Sequence, residues 1–155
     1  MGGALNISDL LDARFIDLNL AVRDKESAIK AVAHMARDHP EIADFAAFCR
    51  SVYDREDLGS TSIGRGIAIP HARTDLVKQI VLIVARCSHG IVFDEKDAEP
   101  VRIIFLVGTP KRMVTDYLRI IGSLARCMKD DGFRDRLLQV QTPEEFIGLF
   151  KGKQA

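Results

Sequence analysis

Residues 55–73 read REDLGSTSIGRGIAIPHAR. Gly59, Gly64 and Gly66 alternate with the hydroxyl run Ser60-Thr61-Ser62, between an Arg-Glu pair and a Pro-His step. A helical period precedes this stretch and long apolar runs follow it, so the order is helix, polar loop, strand. That order decides the fold class, because a loop that leaves a helix and feeds a sheet belongs to a layered α/β chain.

Upstream, FIDLNL (15–20) alternates apolar and polar as a half-buried strand does. Asp24 can cap a helix whose Ile29, Val32, Ala33 and Ala36 share one face, with His39-Pro40 as its end. A second helix is predicted over 42–56, with Ile42, Phe45, Ala46, Cys49, Val52 and Tyr53 inward. Downstream lie the strand GIAIP, a strand over 80–87, a Ser-His-Gly turn at 88–90, a short IVF strand and a strand over 101–107. Residues 115–129 return to helical period, with Leu118, Ile121, Leu124, Ala125 and Met128 on one side, and 133–140 forms another helix. Thr142-Pro143-Glu144-Glu145 is a capping box with proline at the first helical position. With no linker or repeat, residues 1–155 are expected to form one domain: a three-layer α/β/α sandwich around a central mixed β-sheet.

Bulk properties narrow the partners. Lys plus Arg equals Asp plus Glu at 22 each, so no net field recruits nucleic acid or an anionic membrane. Cys49, Cys87 and Cys127 show no C-x-x-C spacing and suit reduced core thiols, which points to a cytoplasmic setting. The start MGGALNISDL lacks a signal pattern and has Asn6 where myristoylation wants Ser or Thr. The runs IVLIVA and IIFLV are far short of the ~18 residues of a membrane span, so no direct membrane insertion is expected.

Known loop chemistries can be tested in turn. GSTSIGRG approaches a phosphate-loop pattern, but Arg65 stands where lysine is required and Gly66 where a hydroxyl should bind magnesium. A dinucleotide fingerprint fails at Ile69. His34, His39, His71 and His89 show no metal-ligand spacing with the cysteines, so neither metal nor cofactor is expected. His34, His39 and His89 read as solvated. His71 differs: Pro70 stiffens the chain before it, and Ser60, Thr61, Ser62, Arg55, Arg65 and Arg73 offer donors for an anion. This suits a phosphate carried on histidine, because phosphoryl transfer asks the protein mainly for alignment and for hydrogen bonds to the equatorial oxygens. On residue chemistry alone, an ordinary glycine-containing connection ending in a strand-end histidine remains the alternative.

The segment from Arg55 through Gly59-Ser60-Thr61 to Pro70-His71 resembles the signature of the enzyme IIA domain of the fructose/mannitol and nitrogen-regulatory class, from the bacterial phosphoenolpyruvate-dependent phosphotransferase system. The likeness continues through Gly90-Ile91-Val92-Phe93-Asp94, Pro100-Val101 before IIFLV, and Thr109-Pro110 before a helix. The resemblance implies an α/β/α fold with a mixed sheet and a phosphohistidine at His71, formed on its Nε2 atom. Arg55 and Thr61, with Ser60 and neighbouring amides adjoining, would line the pocket. The donor would be the small histidine-containing phosphocarrier protein or its nitrogen-branch relative. Many such proteins carry a second histidine near the start of the helix after the Thr-Pro step, where this chain has Tyr117; a tyrosine donates a hydrogen bond but carries no positive charge near neutral pH.

Three functions fit the resemblance. The first is a regulatory phosphoprotein of the nitrogen branch, favoured by a chain with no transporter segment. The second is a sugar-specific component that passes phosphate to an enzyme IIB partner of a fructose- or mannitol-type permease. The third is a binding module that keeps the fold without carrying phosphate.

Overall fold

The computed structural model describes residues 6–153; the reading of the first five residues lies outside it. Six strands form one mixed sheet, ordered β1-β5-β6-β3-β2, with β4 also against β6. The strands are β1 (Ile16–Asp17), β2 (Ser62–Gly64), β3 (Ile67–Ala68), β4 (His71–Arg73), β5 (Val81–Ile91) and β6 (Val101–Thr109). β5 and β6 are antiparallel, whereas β1 runs parallel to β5, and β3 and β4 run parallel to β6.

The apolar runs are nearly continuous because both sheet faces are covered. Leu82, Val84, Ile103, Phe105 and Val107 point to one core, packed by α1 (Ile7–Leu10), α4 (Val114–Met128), α5 (Asp131–Gln139) and α6 (Pro143–Lys153). Val81, Ile83, Ala85, Ile104 and Leu106 point to the other, packed by α2 (Lys25–His34) and α3 (Phe45–Asp57). The result is the expected three-layer sandwich. Phe48, Phe105, Phe133 and Phe146 are fully buried, each contributing about 2–3 kcal/mol of transfer free energy.

Caps set the helix starts. Asp24 accepts from the Ser27 amide at 2.8 Å, Asp44 from Ala47 at 3.1 Å and Asp130 from Phe133 at 3.0 Å. Thr142 Oγ accepts from the Glu145 amide and donates to its carboxylate, both at 3.1 Å, as the capping box predicts.

Several boundaries differ from the sequence expectation, each for a local reason. The strand expected over 15–20 shrinks to Ile16–Asp17, because Phe15 closes a 3-10 turn capped by Asp12 and Asp17 accepts from the Asn19 amide. α2 stops at His34, before His39-Pro40, and Asp38 adopts a φ of 67° in the connection. The Asp44 cap delays α3 to Phe45; Ile42 instead bridges Val77, Ala46 faces solvent and Phe48 is buried in its place. Residues 88–90 are no turn between strands: β5 continues through them, with an irregular register between Arg86 and Ile91. Gly90 holds a φ of 81° there, and a Cβ on it would meet Pro100 at 2.7 Å. Leu118, expected inward, is 60% exposed.

The polar loop is itself partly strand. β2 and β3 form a hairpin whose turn passes through Gly64, Arg65 and Gly66, all at positive φ. β3 and β4 lie along the same side of β6 in one register, Ile67 opposite Ile103 and His71 opposite Val107, interrupted at Ile69-Pro70. Strand alternation then places Ile67, Ile69, His71 and Arg73 on the face covered by α4, and Ala68 and Ala72 on the α3 face.

Candidate active site

His71 opens β4 where the sheet gives way to loops, and both of its ring nitrogens are engaged. Nδ1 lies 3.1 Å from the carbonyl oxygen of Ile69. A carbonyl oxygen only accepts, so Nδ1 carries the proton and Nε2 presents its lone pair. The other contact demands the same tautomer: Arg55 Nε, a pure donor, meets His71 Nε2 at 3.1 Å. Burial holds the imidazole below its ordinary pKa; the Ile69 carbonyl and Glu56 oppose this, while the positive charges of Arg55 and Arg73 add to it. The ring is therefore neutral at pH 7, the state in which Nε2 is nucleophilic.

Arg55 comes from the last turn of α3 and is fixed by a second bond, Nη1 donating to the Gly59 carbonyl at 3.0 Å. Thr61 is 7% exposed, and its hydroxyl and amide donate to the two oxygens of Glu56 at 2.6 and 3.0 Å. Glu56 in turn pairs with Lys25 at 2.9 Å. Ser60 Oγ accepts from the Ser62 amide at 3.1 Å, and the Ser62 hydroxyl donates to Asp97. The hydroxyl run thus fastens the loop to α3 and to the chain after β5.

Tyr117 sits in the first turn of α4 with its ring centroid 5.6 Å from that of His71, tilted at 52°. Burial raises its phenol pKa, against the nearby charges of Arg55 and Arg73. Arg73 lies on the same strand face as His71, and its guanidinium carbon rests 5.8 Å from the Tyr117 ring centroid.

The structure brings Arg55 and Tyr117 directly to His71, and places Ser60 and Thr61 on the adjoining loop. Arg65 instead lines a cavity of about 230 Å³ with Glu99, Arg102 and Arg134. His34 and His89 are exposed, His89 bonding the Val22 carbonyl at 2.7 Å. His39 departs from expectation: it is half-buried against Phe15, accepts from the Glu41 amide at Nδ1, and is held below its ordinary pKa by burial. Cys49, Cys87 and Cys127 are buried free thiols, with Cys87 pushed up to about 11 by desolvation. Among the described residues no helix is long and apolar enough to cross a membrane.

Sequence reading missed Glu56 and Asp97. For Glu56 a signal existed: it lies one helical turn after Val52 on the buried stripe of α3, where a carboxylate demands a partner. Asp97 had none, since its link to Ser62 spans most of a strand pair.

Residues 9–153 match the family model described as phosphoenolpyruvate-dependent sugar phosphotransferase system, EIIA 2. The chain belongs to this family. Within the EIIA 2 family it is 31% identical to the PTS system fructose-specific EIIA component of Haloferax volcanii, over 90% of each chain. It is 30% identical to the nitrogen regulatory protein of Bradyrhizobium diazoefficiens, over 84% of this chain and 85% of that one. The crystal structure of nitrogen regulatory protein IIA-Ntr from Neisseria meningitidis superposes with a TM-score of 0.85 at 28% identity, covering 93% of this chain and 98% of that one. Against three-component EIIABC relatives the chain spans 23% of their length. EIIA 2 membership makes this a phosphotransfer component of the phosphotransferase system, and its relatives include both nitrogen-regulatory and sugar-specific proteins.

Proposed function

We propose that His71 Nε2 accepts a phosphoryl group from a histidine-containing phosphocarrier protein, or its nitrogen-branch relative, and that the chain acts as a phosphohistidine carrier of the nitrogen-regulatory branch. The observation that carries this reading is the doubly specified tautomer of His71, with Nδ1 held by Ile69 and Nε2 met by Arg55.

In the transfer step the Arg55 Nε–H lets go of Nε2, whose freed lone pair attacks phosphorus in line, and the bond from phosphorus to the donor imidazole breaks with its electron pair leaving on the donor nitrogen. The proton stays on Nδ1, donated to the Ile69 carbonyl throughout, so no proton crosses the interface. Once Nε2 is bonded to phosphorus, the Arg55 Nε–H is free to donate to a phosphoryl oxygen, a charge-assisted bond where negative charge accumulates. Ser60 and Thr61 contribute by fixing the loop, and the Tyr117 ring packs beside the imidazole. Val114 and Leu118, 41% and 60% exposed on the turns around Tyr117, supply an apolar rim that a partner covers so that water is excluded during transfer. The step requires no cofactor.

Incubation with phosphoenolpyruvate, enzyme I and the phosphocarrier protein, followed by intact-mass measurement, should show one acid-labile phosphate. Its absence, under conditions that load a nitrogen-branch relative, would leave a binding module that keeps the fold alone.

The 31% identity to a fructose-specific component favours a second reading, in which phosphate passes onward to an enzyme IIB of a fructose- or mannitol-type permease. Adding purified enzyme IIB domains to the loaded protein separates the two. Retention of the label with altered binding to a regulated target protein supports the nitrogen branch; rapid discharge to one IIB domain supports the sugar branch.

A further inference from the structure

The phosphoryl group on His71 would bring roughly two negative charges to a site where only one guanidinium, that of Arg55, touches the imidazole. The loop's hydroxyl groups are neutral, and two of the three protons are already committed. The Thr61 proton is given to Glu56 and the Ser62 proton to Asp97. A second cation stands nearby. Arg73 follows His71 by two residues on β4, so its side chain leaves the same face of the sheet, toward α4. Among the described residues its guanidinium makes no hydrogen bond or ion pair; it lies over the Tyr117 ring, which itself abuts His71.

We propose that Arg73 is a second phosphate-holding residue, parked on the face of Tyr117 in the free protein and swung onto the phosphoryl oxygens when His71 is loaded. This rests on His71 being the phosphoryl acceptor. An exposed cation–π contact is weak, so leaving the ring costs little against a charge-assisted bond to phosphate. Tyr117 then has a role its hydroxyl does not explain: the aromatic face holds an arginine in reserve within reach of the reactive nitrogen. Arg73 is long, exposed and free at its head, and an arginine fork matches two phosphoryl oxygens at once. Its charge also helps keep the free imidazole neutral, so one residue would favour both the nucleophile and its product.

The test compares wild type, Arg73→Gln, Arg73→Lys and Tyr117→Leu after loading from phosphoenolpyruvate through enzyme I and the phosphocarrier protein. Two readouts are taken: the single-turnover loading rate, and the pH titration of the phosphohistidine ³¹P signal. Loss of one charge-assisted bond in Arg73→Gln should slow loading about tenfold. It should also raise the pH at which the phosphoryl group takes up its proton, a change that a packing role would not produce. Arg73→Lys should recover part of both effects, and Tyr117→Leu should lower the rate while keeping much of the phosphoryl titration. Wild type that loads, with an unchanged rate and ³¹P titration in Arg73→Gln, would overturn this proposal and leave the His71 assignment standing. Wild type that never loads would overturn both.

Discussion

Arg55 Nε donates to His71 Nε2 at 3.1 Å while the opposite nitrogen of the ring is bound to the Ile69 carbonyl at the same distance. The cation at that nitrogen does two things. It favours the neutral ring, and under the proposed transfer it already stands where the phosphoryl oxygens would come.

Arg55→Gln should therefore slow phosphoryl loading by about tenfold to a hundredfold, the loss of one or two charge-assisted bonds. The His71 pKa should move up toward its ordinary value but stop short of it, since burial is the larger cause and persists. The linked effect on stability has a definite sign. His71 and His39 both titrate lower in the folded chain than the unfolded value of about 6.5. Below that pH the unfolded state takes up protons that the folded state refuses, so stability is full above it and falls on acidification. Denaturation midpoints from pH 8 to pH 5 should fall for wild type, and fall less for Arg55→Gln; a midpoint that rises on acidification would contradict the assignment.

Tyr117→Phe keeps the ring against His71 and Arg73 and removes only the hydroxyl, so the loading rate should drop modestly, by less than about threefold. Tyr117→His adds a group that can be protonated, and its rate should equal or exceed that of wild type, most visibly below neutral pH. Single-turnover rates across a pH series check both. Identical profiles for all three proteins would make residue 117 a packing residue alone.

Glu56 ties α3, the loop and Lys25 together from a nearly buried position. Glu56→Gln weakens the pair with Lys25 and should cost about 1–3 kcal/mol by urea denaturation. Thr61→Val removes one hydroxyl from the same carboxylate and should cost about 1 kcal/mol, with a smaller effect on loading than Arg55→Gln. A Thr61→Val rate as low as that of Arg55→Gln would mean that the hydroxyl turns to the phosphate during transfer.

Arg86 is a buried cation remote from this chemistry. It donates to the carbonyls of Leu18, Leu137 and Val140, the latter two at the C-terminal end of α5, where the helix dipole favours positive charge. Arg86→Met would strand those carbonyls and should cost about 2–4 kcal/mol of stability. Urea midpoints measure the cost, and the loading rate of the folded fraction should stay unchanged.

How much of this was legible in the sequence depended on how local the cause was. The helix caps at Asp24 and Thr142 and the paired apolar runs of β5 and β6 follow from neighbours in the chain, and they stand where periodicity put them. The β2–β3 hairpin did not show, because Ser62-Ile63-Gly64 has no alternation and is held by pairing with a strand that itself leans on β6. Arg86 reads as the polar end of an apolar run, yet its partners lie more than fifty residues away on either side. Leu118 fits the helical stripe of α4, but the sheet covers a narrower arc than the stripe spans. At the candidate site, the gathering of Arg55 and Tyr117 around His71 was legible from motif order and resemblance. The Nδ1 contact with Ile69 was not, since it depends on how the ring is turned toward a carbonyl two residues back.

The measurement that tests the central claim most directly is a nitrogen-15 and phosphorus-31 NMR experiment on the protein loaded from phosphoenolpyruvate, enzyme I and the phosphocarrier protein. Scalar coupling should place the phosphorus on Nε2 of His71, with Nδ1 still protonated and the other three histidines unmodified. Phosphorus on Nδ1, or on His34, His39 or His89, would contradict the account.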